Sequence, residues 1–143
     1  KFVKGNYFSV NNGHFGKISR LIYPVPPTGK DTLGIHLCID MAGCMRLGPD
    51  YEQFDGDLDY TVDPNRADSF YEGASKFLPF LKRKDLTPAF AGIRPKIDTD
   101  KPFADFHIEN RDGLINLIGI DSPGLTSAMS IADIVTQKVQ EQS

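Results

Sequence analysis

The chain has no tryptophan, two cysteines and three histidines, and no apolar run close to the roughly 20 residues that a membrane-spanning helix needs. Lys1-Phe2-Val3-Lys4 is too short and too polar to read as a signal peptide, so Cys38 and Cys44 are expected to be reduced thiols, with a disulfide or metal site as the competing reading. His14, His36 and His107 lie too far apart in sequence to offer the ligand spacing of a zinc motif. Basic residues are scattered, and 16 of them against 19 acidic ones leave a formal charge of −3. That balance gives no general attraction to nucleic acid or anionic lipid. Also missing is a strand followed by Gly-x-Gly-x-x-Gly and a later acidic residue, the arrangement that cradles a dinucleotide pyrophosphate and holds its ribose.

With 40% hydrophobic residues, the 143-residue chain has enough apolar surface to bury a core. A small soluble substrate is the expected ligand, and a cytoplasmic location is expected, with peripheral membrane association as a variant. The first residues, Lys1-Phe2-Val3-Lys4, look like the interior of a strand and carry no initiating Met, which leads us to expect a piece of a longer protein.

The first half alternates short strands and turns. Asn6 to Val10 reads as a strand closed by Asn11-Asn12-Gly13, and Ile18 to Val25 as a second, with Leu21, Tyr23 and Val25 on one face until Pro24, Pro26 and Pro27 stop pairing. From Leu33 to Ile39 the alternation sets Leu33, Ile35, Leu37 and Ile39 on one face and Gly34, His36 and Cys38 on the other. Asp40 to Gly43 is a tight turn that returns Cys44 to Leu47 as a hairpin partner. Asp63-Pro64 starts a helix, with Asp as cap and Pro in its first position. Ala67, Phe70, Ala74, Phe77 and Leu78 repeat along its buried stripe, and Pro79 with Lys82-Arg83-Lys84 marks its end and a solvated loop.

Ala89 to Ile97 is extended, Ala104 to Glu109 is a strand, and Asn110 to Gly113 turns into Leu114 to Ile120, an apolar run expected to be covered on both faces. A final helix follows Ser122-Pro123-Gly124, with Leu125, Ala128, Ala132, Val135 and Val139 as its expected stripe.

Two local features carry possible chemistry. The small-residue turn before the last helix lets backbone donors approach a polar group where the helix dipole favours negative charge; a plain capped helix is the competing reading. Arg94 sits between Ile93 and Pro95, after Gly92, so proline holds it extended and its guanidinium can take a carboxylate with two parallel hydrogen bonds. An ordinary surface arginine is the alternative there.

In this order the segments resemble a known family. Asn116-Leu117-Ile118-Gly119-Ile120-Asp121-Ser122-Pro123-Gly124-Leu125-Thr126 is similar to the C-terminal flavin-contacting segment of the D-amino-acid oxidase superfamily, and Gly92-Ile93-Arg94-Pro95 to its Gly-hydrophobic-Arg-Pro motif. Leu21-Ile22-Tyr23-Pro24-Val25-Pro26, Leu33-Gly34-Ile35-His36-Leu37, Leu47-Gly48-Pro49 and Lys4-Gly5-Asn6-Tyr7 resemble the L-2-hydroxyglutarate dehydrogenase branch and related hydroxyacid-oxidising proteins.

The resemblance implies an α+β fold: a mixed, mainly antiparallel sheet with flanking helices. Residues 1–109 would form a substrate-binding portion, and 110–143 would be a strand and helix completing an FAD domain. It implies FAD as cofactor, with Ser122, Pro123, Gly124, Leu125 and Thr126 contacting the flavin. Arg94 would clamp the substrate carboxylate; Tyr7 and Tyr23 would orient substrate, core-edge tyrosines that only satisfy their hydroxyls being the competing reading; and His36 is the candidate general base, a structural histidine being its competing role. The implied partners are a small carboxylate substrate, an N-terminal FAD-binding half, and oxygen or a quinone-type electron acceptor. Oxidation of a 2-hydroxy acid by hydride transfer to flavin is the expected reaction of the parent enzyme. An amino-acid or secondary-amine oxidase of glycine or sarcosine type, and an isolated non-catalytic domain without flavin, stay open as alternatives.

Overall fold

The computed structural model describes residues 2–11, 13–25, 34–97 and 104–141; the expectations for Asn12, Pro26, Pro27 and Leu33 lie outside them. The chain divides into two compact units, Val3–Ile93 and Arg94–Ser143 with Lys1–Phe2. The fold is mixed α+β with antiparallel pairing, as expected from the resemblance.

In the first unit, β1 (Phe2–Val10), β2 (Leu37–Ile39), β3 (Met45–Leu47) and β4 (Glu52–Phe54) form one sheet in the order β2-β3-β1-β4, and β5 (Leu86–Pro95), which runs to the boundary between the units, also pairs with β1. The register Phe8↔Leu47 and Leu37↔Leu47 puts three fully buried side chains on one sheet face. Each contributes about 1.5–3 kcal/mol by leaving water. Phe70 covers them, its ring centroid 4.6 Å from that of Phe8. The β2–β3 turn is held by Asp40, whose Oδ1 accepts from the backbone N–H groups of Ala42 (3.0 Å) and Cys44 (2.9 Å).

The strand expected over Ile18 to Val25 is reduced to one bridge, Ile22↔Leu37. Leu21, Tyr23 and Val25 are all exposed, while Ile22 packs against the core. Pro24 has no N–H to continue the ladder.

Asp63 caps as expected, its Oδ1 accepting from Asn65 N at 2.9 Å. The helix opens as a 3₁₀ turn, Pro64–Arg66, continues as α1 (Ala67–Ala74) and stops earlier than the stripe suggested. Phe77 and Leu78 lie past its end yet still pack into the core, Leu78 completely. The basic triplet is consequently not at the helix end. Arg83 opens a 3₁₀ turn, Arg83–Asp85, and its Nε bonds Asp68 Oδ1 at 2.7 Å in the first turn of α1. That turn also buries Asp85, whose Oδ2 accepts from His14 Nε2 at 2.8 Å and from Lys82 N at 3.0 Å.

In the second unit, β6 (His107–Arg111) and β7 (Leu114–Ile118) form a hairpin. Asp112 and Gly113 make its two-residue turn with φ of 50° and 83°, the left-handed pair that matches strand twist and favours Asp-Gly. α2 (Gly124–Gln140) follows. Here two expectations fail. Leu114 and Leu117 are exposed, so β7 is not covered on both faces within this chain. Leu125 and Val139 are exposed as well, while Gly124 and Ile131 are buried and Ser127 and Val135 half-buried, so the buried stripe of α2 is rotated from the predicted one. An apolar period shows that a face exists, but with apolar residues on several sides the packing partner selects which one.

No helix among the described residues is long and apolar enough to cross a membrane.

Candidate functional site

The sheet of the first unit has a core face and an open face, and the open face collects the polar and aromatic side chains. Ser9 is paired with Arg46, and Arg46 with Cys38, opposite in phase to the buried Phe8, Leu47 and Leu37 row. Stepping two residues along the same face reaches Tyr7 on β1 and His36 just before β2, with Gly48 between them at the end of β3. The Gly48 N–H donates to His36 O at 3.0 Å. Gly48 has φ of 134°, and a Cβ there would stand 2.6 Å from Asn6 O and 2.8 Å from Tyr7 Cδ1. Only glycine keeps a notch between Tyr7 and His36.

His36 is 6% exposed. Its Nδ1 lies 3.3 Å from Gly34 O, and because a carbonyl only accepts, Nδ1 carries the proton and Nε2 presents a lone pair. Burial pushes the imidazole pKa below its ordinary value, the bond to Gly34 opposing this in part, so the ring is neutral near pH 7. Tyr23 stacks on it with ring centroids 4.3 Å apart and planes 17° from parallel, and remains 54% exposed. Burial also pushes the Cys38 thiol up, which leaves it protonated and a poor nucleophile.

Tyr7 stacks on Phe90 of β5, centroids 4.5 Å apart. The Arg46 guanidinium lies 5.6 Å from the Phe90 centroid, donates from Nη1 to Ser9 Oγ at 3.1 Å and from Nη2 to Asp40 Oδ2 at 2.9 Å. Phe90 and Arg46 escaped the sequence reading, and Gly48 entered it only within Leu47-Gly48-Pro49. An Asp40–Gly43 turn counted across the hairpin sets Cys38 opposite Met45; the observed register, Cys38↔Arg46, is one residue longer and turns Arg46 onto the face of His36.

Of the sequence-predicted residues, Tyr7, Tyr23 and His36 come together in the first unit. Arg94 and residues 122–126 belong to the second. Arg94 is exposed in the last turn of extended chain before Pro95. The segment before α2 is tightly wound: Asp121 N bonds Gly119 O at 2.9 Å, Gly124 N bonds Asp121 O at 2.5 Å, and Ser127 N bonds Pro123 O at 3.1 Å. Thr126 Oγ1 also donates to Pro123 O, at 3.0 Å. Gly124 is buried, and a Cβ on it would meet Ile120 Cγ2 at 2.6 Å. Around it Ser122, Pro123, Leu125 and Thr126 are exposed, so the positive end of a 17-residue helix faces outward through small residues. Among the described residues no group of His, Cys, Asp and Glu is arranged to hold a metal ion.

Comparison with known proteins places these features in context. A family profile described as FAD dependent oxidoreductase matches residues 1–138. The mitochondrial L-2-hydroxyglutarate dehydrogenase of Arabidopsis thaliana is 37% identical over 152 residues, covering 96% of this chain and 31% of that protein. The L-2-hydroxyglutarate dehydrogenase of Escherichia coli K12 is 26% identical over 172 residues, covering 96% of this chain and 41% of that protein. The chain thus spans 31% to 41% of the length of these relatives. Among solved structures, dithionite-reduced L-alpha-glycerophosphate oxidase from Mycoplasma pneumoniae with FAD bound shares the fold with a TM-score of 0.75 at 23% identity, over 97% of this chain and 36% of that one.

Proposed function

Given that the chain belongs to the FAD-dependent oxidoreductase family, we propose that it is the substrate-side part of an enzyme oxidising a small 2-hydroxy acid of the L-2-hydroxyglutarate kind. The observation that carries this reading is the neutral His36, its Nδ1 proton engaged by Gly34 and its Nε2 left as an acceptor, with Tyr23 stacked on the ring and Tyr7 on the same sheet face. That arrangement suits removal of a proton from a hydroxyl.

The exposed, small-residue start of α2 fits the polar edge of a flavin ring, where backbone N–H groups and the helix dipole favour negative charge. Ser122, Pro123, Gly124, Leu125 and Thr126 would hold that edge. The dinucleotide part of FAD has no cradle within these 143 residues and would depend on an N-terminal half that carries the Gly-x-Gly-x-x-Gly loop. In this reading residues 110–143 complete the FAD domain and residues 1–109 supply the substrate side. FAD, when bound, supplies the two-electron acceptor for the hydride.

This chain's own residues do the rest. Arg94 takes the substrate carboxylate in a two-pronged hydrogen bond and fixes the carbon that bears the hydroxyl. Tyr7 and Tyr23 orient the substrate, and Tyr23 shields one face of the imidazole from water. His36 Nε2 accepts the hydroxyl proton. Electrons leave the parent enzyme to oxygen or a quinone-type acceptor.

The experiment is anaerobic flavin reduction by the full-length protein, challenged separately with L-2-hydroxyglutarate, glycine and sarcosine. Bleaching by the hydroxy acid alone is expected. Bleaching by the amines alone would overturn the proposal in favour of an amine oxidase, and a native gene without the Gly-x-Gly-x-x-Gly loop upstream would leave a non-catalytic domain.

A further inference from the structure

Arg46 is built into the open face more firmly than a solvent-facing arginine needs to be. Three elements hold its guanidinium: Ser9 Oγ on β1 at 3.1 Å, Asp40 Oδ2 at the hairpin turn at 2.9 Å, and the ring of Phe90 on β5 at 5.6 Å. Its side chain is still 30% exposed. Asp40 is itself fixed, because its other oxygen caps the turn through Ala42 N and Cys44 N. The carboxylate is explained by the turn, and it orients the fork as well as neutralising it. A guanidinium has five N–H donors, and Ser9 and Asp40 engage one terminal nitrogen each, which leaves donors for a further acceptor.

Four other cations of this unit have contacts of their own. Lys4 bonds Thr61 O and Asp59, Lys17 contacts His14, Arg66 is paired with Asp50 and Glu52, and Arg83 with Asp68. Along β3, Arg46 lies two residues from the Gly48 notch beside His36, a separation of roughly 6–7 Å at ordinary strand rise. A short diacid can bridge such a span. The floor between the two points is aromatic, Tyr7 stacked on Phe90, and suits methylene groups.

We propose that Arg46 is a specificity-determining residue that binds the distal carboxylate of a dicarboxylic 2-hydroxy acid, with Phe90 and Tyr7 beneath the chain joining its two ends. The assignment rests on the 2-hydroxy acid reading above and adds to it the requirement for a second carboxylate.

The test compares L-2-hydroxyglutarate with L-2-hydroxyvalerate, which lacks the second carboxylate, as reductants of the full-length flavoprotein. The wild type should prefer the diacid, and Arg46→Met should lower the diacid-to-monoacid ratio of kcat/KM by about 100-fold, as expected for loss of a charged hydrogen-bonded contact, mainly through KM. Arg46→Lys keeps the charge without the fork and should fall between the two. Binding of glutarate, which cannot be oxidised, should weaken in parallel when followed by the flavin absorbance. Equal losses on both substrates, or no change in the ratio, would overturn the assignment. If Arg46→Met does not fold, the ratio and the glutarate affinity of Arg46→Lys decide in the same way. A wild type that oxidises both acids without preference sinks this inference alone, whereas one reduced by neither sinks the 2-hydroxy acid reading with it.

Discussion

Asp85 offers the sharpest test of how the first unit is held together. Its carboxylate is 2% exposed, and one oxygen, Oδ2, accepts from both His14 Nε2 (2.8 Å) and Lys82 N (3.0 Å). His14 is itself buried, with Lys17 Nζ 3.0 Å from its Nδ1, so that Nδ1 accepts and Nε2 donates when the lysine is charged. Asp85→Ala strands the buried His14 Nε2 donor and also removes the partner of the Lys82 N–H, which lies nearer the surface. At about 1–3 kcal/mol for the unsatisfied buried group and about 1 kcal/mol for the other lost hydrogen bond, the loss is roughly 2–4 kcal/mol. Asp85→Asn separates charge from hydrogen bonding, because an amide oxygen in the Oδ2 position keeps both donors satisfied. Its cost should be about 1–2 kcal/mol. Thermal melting followed by far-UV circular dichroism should show a drop of roughly 2–4 °C per kcal/mol for a chain of this size, with alanine clearly below asparagine. Equal melting temperatures for the two variants, or an alanine loss below about 1 kcal/mol, would refute the claim that this shared oxygen holds the turn to the His14 loop.

Truncating Phe70, fully buried against Phe8, to alanine should cost about 3–5 kcal/mol in urea unfolding. Gly48→Ala should destabilise the protein and weaken substrate binding together, since a Cβ at φ 134° collides with Asn6 O and the Tyr7 ring; a substrate KM unchanged from wild type would remove Gly48 from the site. In the full-length enzyme, His36→Gln should lower flavin reduction by about 10²–10⁴-fold, the range for losing a general base. The wild-type rate should fall as pH drops through the His36 pKa, which burial sets below 6.5, and this acid limb should disappear in the variant. The same lowered pKa makes the folded state prefer the neutral ring, so stability from this group is present above pH 6.5 and declines as pH falls from there toward the folded value. An NMR titration of the His36 ring that places its pKa above 6.5 would contradict both statements.

Local pattern in the chain was enough to determine the Asp40–Gly43 turn and the Asp63-Pro64 helix start, because turns and caps are set by residues a few positions apart, and the order of its motifs carried the resemblance that implied the family and the α+β class. The clustering of Tyr7, Tyr23 and His36 on one face was only half legible. Alternation separated His36 from the aliphatic stripe, but it assigned Tyr23 to a strand that the structure reduces to a single bridge at Ile22. What tertiary structure decided were the features that depend on partners distant in sequence: Phe90 beneath Tyr7, Arg46 of β3 opposite Ser9 of β1, the Asp85–His14 pair 71 residues apart, and the side of α2 that is buried. A stripe of apolar residues records only the capacity to be covered, and on α2 and β7, where Leu117, Leu125 and Val139 remain exposed, the covering surface, and not the period, selects the face.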